Sequence, residues 1–228
     1  MGFKEKLSAL AKKYKHAWVF LYILVYMPWF LLLERHVTTN YHVIQIELDE
    51  HIPFIEYFVV PYLLWFVFIA AAFLYFFFTD VPGFYRMAQF MFTGMTIFLI
   101  ISTIFPNGQD LRPVVFERDN IFVDLVRMVY RADTCTNVFP SLHVFNSLSV
   151  CVAVCESRNL KNHRGVCFGV YAMAALIILA TVFLKQHSVV DVFGATIMAY
   201  ILYQFIYAPA KKSAPRYAKQ KGALLQNK

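Results

Sequence analysis

Two histidines and an aspartate stand in an arrangement that suits nucleophilic catalysis. His187 and Asp191 are four residues apart, so on a helix they share a face and the carboxylate can accept a hydrogen bond from one ring nitrogen. That bond fixes the tautomer and makes the other nitrogen a better nucleophile or base. His143 is a second group suited to proton transfer. We therefore predict that His187, His143 and Asp191 form a catalytic set.

The residues around His143 favour an anionic substrate. A helix can begin at Pro140, and Ser141 and His143 would then lie in its first turn. The free N–H groups and the positive dipole end of a helix bind phosphate well. Arg112, which precedes a proline, can bind two oxygens of the same phosphate through its planar guanidinium. The sequence thus predicts a phosphate site.

Membrane helices must hold these residues in place. Of the 228 residues, 60% are hydrophobic and only 15% are charged, which excludes a soluble domain because a core of this size cannot bury so much apolar surface. A bilayer accepts apolar segments of roughly 20 residues. The uncharged runs predict an all-α polytopic membrane protein with six transmembrane helices, and the loss of one span would invert the topology. The predicted spans are 17–33, 57–79, 87–109, 141–155, 165–184 and 192–207.

The basic residues indicate the orientation of the chain. With six spans both termini share a side, and fifteen of the 21 Lys and Arg residues lie there, as expected of the cytoplasmic side. The active site would then face the extracytoplasmic or lumenal side. The net charge of +7 reflects this orientation, so no nucleic-acid partner is predicted. The other six basic residues are Arg35, Arg112, Arg118, Arg127, Arg131 and Lys185.

We divide the chain into a basic cytoplasmic segment (1–16), a six-helix membrane domain (17–210) and a basic cytoplasmic tail (211–228). Two connections on the predicted outer side are long. In 34–56, acids spaced among apolar residues suit a helix at the membrane interface. In 110–139, residues 120–131 have helical apolar spacing, and a long ordered loop of this kind often serves as a lid or binding surface.

Order, spacing and membrane topology together resemble the type 2 phosphatidic acid phosphatase superfamily, which includes lipid phosphatases and sphingolipid headgroup transferases. The resemblance rests on Arg112 with Pro113, on the stretch 140–143 (PSLH), and on His187 with Asp191. It implies that His187 attacks phosphorus to form a phosphohistidine, oriented by Asp191. His143 would protonate the leaving alcohol and then activate water. Arg112 and Ser141 would hold the phosphoryl oxygens. No metal or other cofactor is implied.

The chain departs from the family pattern at two phosphate-binding cations. The family's lysine seven residues before the arginine is here Phe105, and its Ser-Arg pair six residues before the histidine is here Ala180 and Thr181. A weaker positive field suits a phosphodiester with one negative charge better than a phosphomonoester dianion. The residues predicted to bind substrate in place of the missing cations are Lys185, Asn107 and Gln109.

The main hypothesis is a membrane lipid-phosphate phosphatase or phosphotransferase whose partners are a lipid phosphate or phospholipid and the bilayer. Three alternatives stay open. The first is a phospholipid headgroup transferase similar to inositol phosphorylceramide or sphingomyelin synthases. The second is a proton-coupled transporter in which the two histidines and Asp191 form a relay, although their place at one face leaves the bilayer midplane almost empty of polar groups. The third is a metal site. The sequence does not indicate the oligomeric state.

Overall fold

Long apolar helices make up most of the chain in a computed structural model, which describes residues 4–5, 9, 12–37 and 39–209. Two 3₁₀ helices, Lys15–Tyr22 and Glu56–Phe58, lead directly into the α-helices that begin at Ile23 and Val59. Two two-residue strands, β1 (His42–Val43) and β2 (Asn107–Gly108), pair in parallel. The α-helices are α1 (Ile23–His36), α2 (Glu47–His51), α3 (Val59–Thr79), α4 (Val81–Ile104), α5 (Ile121–Ala132), α6 (Leu142–Glu156), α7 (Arg164–Phe183) and α8 (Val189–Ile206).

Five helical segments in the described part of the chain are long and apolar enough to cross a membrane. This confirms the predicted all-α architecture with several membrane helices. The remaining predicted span, the fourth (141–155), corresponds to α6, which is apolar but has only 15 residues and so extends about 22 Å. The prediction of six spans therefore depends on α6. The five segments are Lys15–His36, Glu56–Thr79, Val81–Ile104, Arg164–Phe183 and Val189–Ile206.

The third predicted span, 87–109, differs from α4, which lies nearer the N-terminus at both ends. At its start, the Asp80 side chain accepts a hydrogen bond from the Gly83 N–H (3.0 Å), and Pro82 lies in the first turn, where its missing N–H is not needed. At its end, Phe105 precedes Pro106, and a residue before proline disfavours the helical conformation. Consequently Asn107 lies beyond the membrane helix, in β2.

Helix α6 packs against α3, α4, α7 and α8 and so occupies the middle of the bundle. Two glycines permit close approach. A Cβ on Gly94 of α4 would lie 2.1 Å from the Phe145 ring of α6, and a Cβ on Gly194 of α8 would lie 2.4 Å from the Phe139 ring. Since real side chains never approach so closely, glycine is required at both positions. The first contact brings the start of α6 close to α4, and the second brings the segment that leads into α6 close to α8.

One end of the bundle, which we call the site end, gathers the two long connections. There β1 pairs with β2, and Gly108 of β2 forms an isolated antiparallel bridge with Thr136. The helix predicted within 110–139 is present as α5, which begins where the Asn120 side chain accepts two backbone N–H groups (3.0 Å each). In the described residues of the connection 34–56, the helix expected at the membrane interface is the five-residue α2, which follows β1.

The division into three parts stays a prediction. The basic tail 211–228 lies outside the described residues. In the N-terminal segment 1–16, the structure describes only residues 4–5, 9 and 12–16.

Candidate active site

His187 and Asp191 meet through the cap of α8. Ser188 is the N-cap residue, and its hydroxyl accepts the Val190 N–H (3.1 Å) while the Asp191 carboxylate accepts the Ser188 N–H (3.0 Å). The same carboxylate oxygen lies 3.2 Å from Nδ1 of His187. The spacing suggested that the two residues share a helix face. His187 instead precedes the helix, so the contact depends on the capping box.

The bond to Asp191 determines which nitrogen of His187 can react. A carboxylate accepts only, so Nδ1 carries the proton, and Nε2 is then left with its lone pair in the neutral ring. Within the described residues Nε2 has no hydrogen-bond partner. His187 is 7% exposed and Asp191 is fully buried, so both are held in a largely water-free position. The pair has the arrangement of an oriented nucleophile.

His143 lies in the first turn of α6, beside His187. The two ring centroids are 5.7 Å apart. The imidazole of His143 stacks on Tyr62 (4.6 Å) and contacts Trp65 (4.4 Å), both on α3. Its ring nitrogens make no hydrogen bond to any described residue. The structure therefore brings together all three residues predicted to be catalytic.

Ser141 connects the starts of α6 and α8. It is fully buried and is the N-cap residue of α6, where its hydroxyl oxygen accepts the Val144 N–H (3.4 Å). Its own backbone N–H donates to the carbonyl of Asp191 (3.3 Å). Ser141 thus lies at the site, with its oxygen already occupied by the helix cap.

Arg112 reaches the site, and both of its terminal nitrogens bind protein acceptors. Nη1 donates to the carbonyls of Tyr130 (3.2 Å) and Asp133 (2.8 Å) at the end of α5. Nη2 donates to the carbonyl of Thr134 (2.7 Å) and to Oε1 of Gln186. The guanidinium also stacks on the Tyr130 ring at 4.6 Å. Only the buried Nε–H lacks a partner among the described residues, so the predicted two-pronged phosphate clamp requires that some of these bonds exchange.

Asn107 supports the backbone that leads into α6. It is fully buried, and its Oδ1 accepts the N–H groups of Val138 (2.9 Å) and Phe139 (2.8 Å). Its Nδ2 donates to the carbonyl of Phe105 (2.8 Å). Because these bonds use its oxygen and one amide hydrogen, the structure favours a positioning role over the direct substrate contact predicted for this residue.

Gln109 and Lys185 also face protein atoms. Gln109 donates to the carbonyl of Lys185 (3.0 Å) and accepts the N–H of Leu111, again a positioning role. Lys185 has a left-handed backbone (φ 53°), and its Nζ donates to the backbone carbonyl of Asp49. Burial lowers the pKa of Lys185, and the nearby charges of Asp49 and Glu50 oppose that shift. The predicted replacement cation thus lies beside His187 but is directed towards α2.

Asp49 is a site residue that sequence reasoning missed. It is 1% exposed, and its carboxylate accepts the Ser188 hydroxyl (2.6 Å) and the Val189 N–H (2.8 Å) at the start of α8. It also accepts the N–H of Ile46 in its own loop (2.9 Å). The 139 positions between Asp49 and Ser188 explain why no local pattern indicated the contact. Asp49 fixes the helix start that follows His187.

No three His, Cys, Asp or Glu side chains in the described ranges come together as metal ligands. The arrangement described above is one for covalent catalysis: an oriented imidazole, a second imidazole beside it, and nearby N–H donors. This chemistry transfers a phosphoryl or similar group.

Comparison with known families identifies the part of the chain that builds the site. Residues 107–214 match the model of the PAP2 superfamily, whose members are phosphoric ester hydrolases. No curated protein and no solved structure matches the chain at a significant level. The matched segment, just under half of the chain, includes Arg112, Ser141, His143, His187 and Asp191, and over this segment the chain is similar to the PAP2 superfamily.

Proposed function

We propose that the protein is a membrane lipid-phosphate phosphatase or phosphotransferase that forms a phosphohistidine at His187. The match of residues 107–214 to the PAP2 superfamily supports phosphatase or phosphotransferase activity on a lipid-like substrate. The observation that carries the finer proposal is the state of His187. Its Nδ1 is bonded to Asp191, its Nε2 has no partner among the described residues, and His143 lies 5.7 Å away between ring centroids.

Phosphoryl transfer would proceed in two steps. Nε2 of His187 attacks phosphorus, the bond from phosphorus to the lipid oxygen breaks, and protonated His143 gives its proton to that oxygen. Neutral His143 then takes a proton from water, the water oxygen attacks phosphorus, and the P–N bond breaks to release phosphate. Asp191 stabilises the positive charge that develops on the ring of His187. If a lipid alcohol replaces water in the second step, the headgroup is transferred instead of released.

The charges around the site favour a substrate with one negative charge. Phe105 occupies the position of a family cation and stacks on His42 (4.6 Å between centroids, 8° between planes). The buried carboxylate of Asp49 adds negative charge at the start of α8. A phosphodiester lipid fits this balance better than a phosphomonoester dianion. A headgroup transferase is therefore the second candidate function, supported by these two observations.

The orientation of the site is part of the proposal. The catalytic groups lie at the site end of the bundle, where the helix ends meet the two long connections. The concentration of Lys and Arg near the termini supports cytoplasmic termini and an extracytoplasmic or lumenal site. A location at the membrane surface gives the headgroup of a lipid direct access while its tails remain in the bilayer.

Replacing the nucleophile tests the mechanism. We expect His187→Ala to lower kcat by about 10³-fold or more, because the covalent path is lost. His163→Ala is the matched control, since His163 is exposed at the opposite end of the bundle. Purified full-length protein would be incubated with phosphatidic acid and, separately, with a phosphodiester lipid plus diacylglycerol. Free phosphate supports the phosphatase, and a headgroup on diacylglycerol supports the transferase.

A phosphorylated intermediate provides a second measurement. With substrate carrying labelled phosphorus, we expect the wild type to hold label that is lost in acid and kept in base, as a phosphorus–nitrogen bond requires. His187→Ala is expected to hold none. Turnover of this variant at the wild-type rate would show that His187 is not the nucleophile.

A further inference from the structure

Gln186, the residue before His187, has a side-chain amide whose oxygen is hydrogen-bonded and whose nitrogen is not. The residue is 2% exposed. Its Oε1 accepts a hydrogen bond from Nη2 of Arg112, whereas its Nε2 is buried without a partner among the described residues. A buried donor without an acceptor is costly, so native proteins rarely keep one unless the working state supplies an acceptor.

Arg112 fixes which end of this amide is the oxygen. A guanidinium has donors only, so an amide nitrogen facing it would place two donors against each other. The donor character of Arg112 therefore requires that the oxygen of the Gln186 amide faces the guanidinium. The unpartnered end is the NH₂ group, a donor.

A second unpartnered donor lies on the other side of the same hydrogen bond. The Nε–H of Arg112 is buried and has no acceptor among the described residues. The two orphan donors are thus joined through the bond from Arg112 to Gln186, next to the nucleophile. A phosphoryl group, which has several acceptor oxygens and no donor in its ionised form, matches this pair.

The position of Gln186 also explains how the chain can lack a family cation. The backbone carbonyl of Thr181, where the family pattern has arginine, accepts the N–H of Gln186 (2.9 Å) and the N–H of His187 (3.1 Å). The altered position therefore contacts the segment that carries the orphan amide. An amide can bind phosphoryl oxygens there without adding positive charge.

We propose that the Nε2 group of Gln186, together with Nε–H of Arg112, binds the phosphoryl oxygens of the substrate and replaces the missing cation with a neutral donor. This inference rests on the proposed phosphoryl transfer and makes it more specific. A neutral donor lowers the preference for a dianion, so Gln186 contributes to selecting a lipid phosphodiester over a phosphomonoester.

The variant Gln186→Glu separates this role from a structural one. Glutamate has nearly the same shape and still accepts from Arg112, so a purely structural role survives the change. It has no N–H donors and turns a negative charge towards the phosphoryl group. We expect kcat/KM for the phosphodiester to fall about 10²-fold, as when one oxyanion donor is removed. Gln45→Glu is the matched control: Gln45 is exposed at the site end, and its Oε1 accepts a single hydrogen bond, from the backbone N–H of Asp110 (3.3 Å).

A binding measurement that needs no turnover completes the test. Inorganic phosphate and orthovanadate would be titrated calorimetrically into the full chain in detergent, and we expect at least about tenfold weaker binding by Gln186→Glu than by the wild type. Gln186→Met, which removes the donors without adding charge, covers the case in which Gln186→Glu fails to fold. Equal affinities in the wild type and in a folded variant, or no anion binding by either, would overturn the inference.

The two proposals fail in different ways. An inactive His187→Ala combined with a fully active Gln186→Glu refutes the role of Gln186 alone. An active His187→Ala refutes the phosphohistidine mechanism, and anion binding then still decides whether Gln186 contacts a phosphoryl group.

Discussion

The starts of α6 and α8 carry the two histidines, and they hold them by different means. Both helices begin with a fully buried serine that caps a backbone N–H. At α8, the carboxylates of Asp49 and Asp191 accept three further bonds from the cap, and Asp191 makes a fourth bond, to the ring of His187. At α6, by contrast, His143 is held by aromatic rings and makes no ring hydrogen bond within the described residues.

This difference matches the two chemical roles that we propose for the histidines. A nucleophile has to present one nitrogen in one tautomer, and a hydrogen bond from the other nitrogen to a carboxylate does that. A group that first gives and then takes a proton needs both of its ring states to be accessible. Stacking on Tyr62 and a tilted contact with Trp65 fix the place of the His143 ring without binding its nitrogens. The site therefore combines a rigid polar start of α8 with an apolar start of α6.

Breaking the bond to His187 is expected to have the largest effect in this comparison. In Asp191→Asn the negative charge is lost. The amide oxygen can take the place of the carboxylate oxygen that accepts from the Ser188 N–H and Nδ1 of His187 in only one of the two amide orientations, and in the other an NH₂ group faces both donors. We expect kcat to fall about 10³-fold with little change in KM, because the ring loses its tautomer and its charge stabilisation. Steady-state kinetics and the yield of labelled phosphohistidine measure this. A loss under tenfold would mean that Asp191 does not orient the nucleophile.

Removing the contact that Asp49 of α2 makes with the start of α8 is expected to have the next largest effect. Asp49→Asn puts an NH₂ group against either the Ser188 hydroxyl or the Val189 N–H, so one buried donor loses its acceptor. We expect about 2 kcal/mol lower stability and about a 10- to 10²-fold lower kcat, since the start of α8 is less well fixed. Thermal unfolding and kinetics would be compared with Glu50→Gln, an exposed change in the same short helix. Unfolding and turnover equal to those of this control would contradict the role of Asp49.

The sequence predicted the helices and the clustering of His143, His187 and Asp191 better than it predicted the groups that hold these residues in place. Uncharged runs mark apolar helices because lipid or packing excludes charge from them, and the spacing of His187 and Asp191 indicated their pairing. The supports involve distant parts of the chain: Asp49 binds Ser188 over 139 positions, and Arg112 binds Gln186 over 74. Many of the bonds are to backbone groups, which every residue has, so no residue type signals them. For Asn107 and Gln109 the sequence predicted direct phosphate contacts and did not indicate their bonds to backbone groups.

The smallest loss of kcat is expected at the start of α6, where aromatic rings rather than hydrogen bonds hold His143. Tyr62→Phe keeps the ring that stacks on His143 and removes only the hydroxyl, which donates to Asp133 (2.9 Å). We expect kcat within about threefold of the wild type and a stability loss of about 1 kcal/mol. Tyr62→Leu, which removes the ring, is expected to lower kcat clearly more than Tyr62→Phe. If instead Tyr62→Phe lowers kcat as much as Asp191→Asn, then polar bonds position His143 too, and the two helix starts work by the same principle.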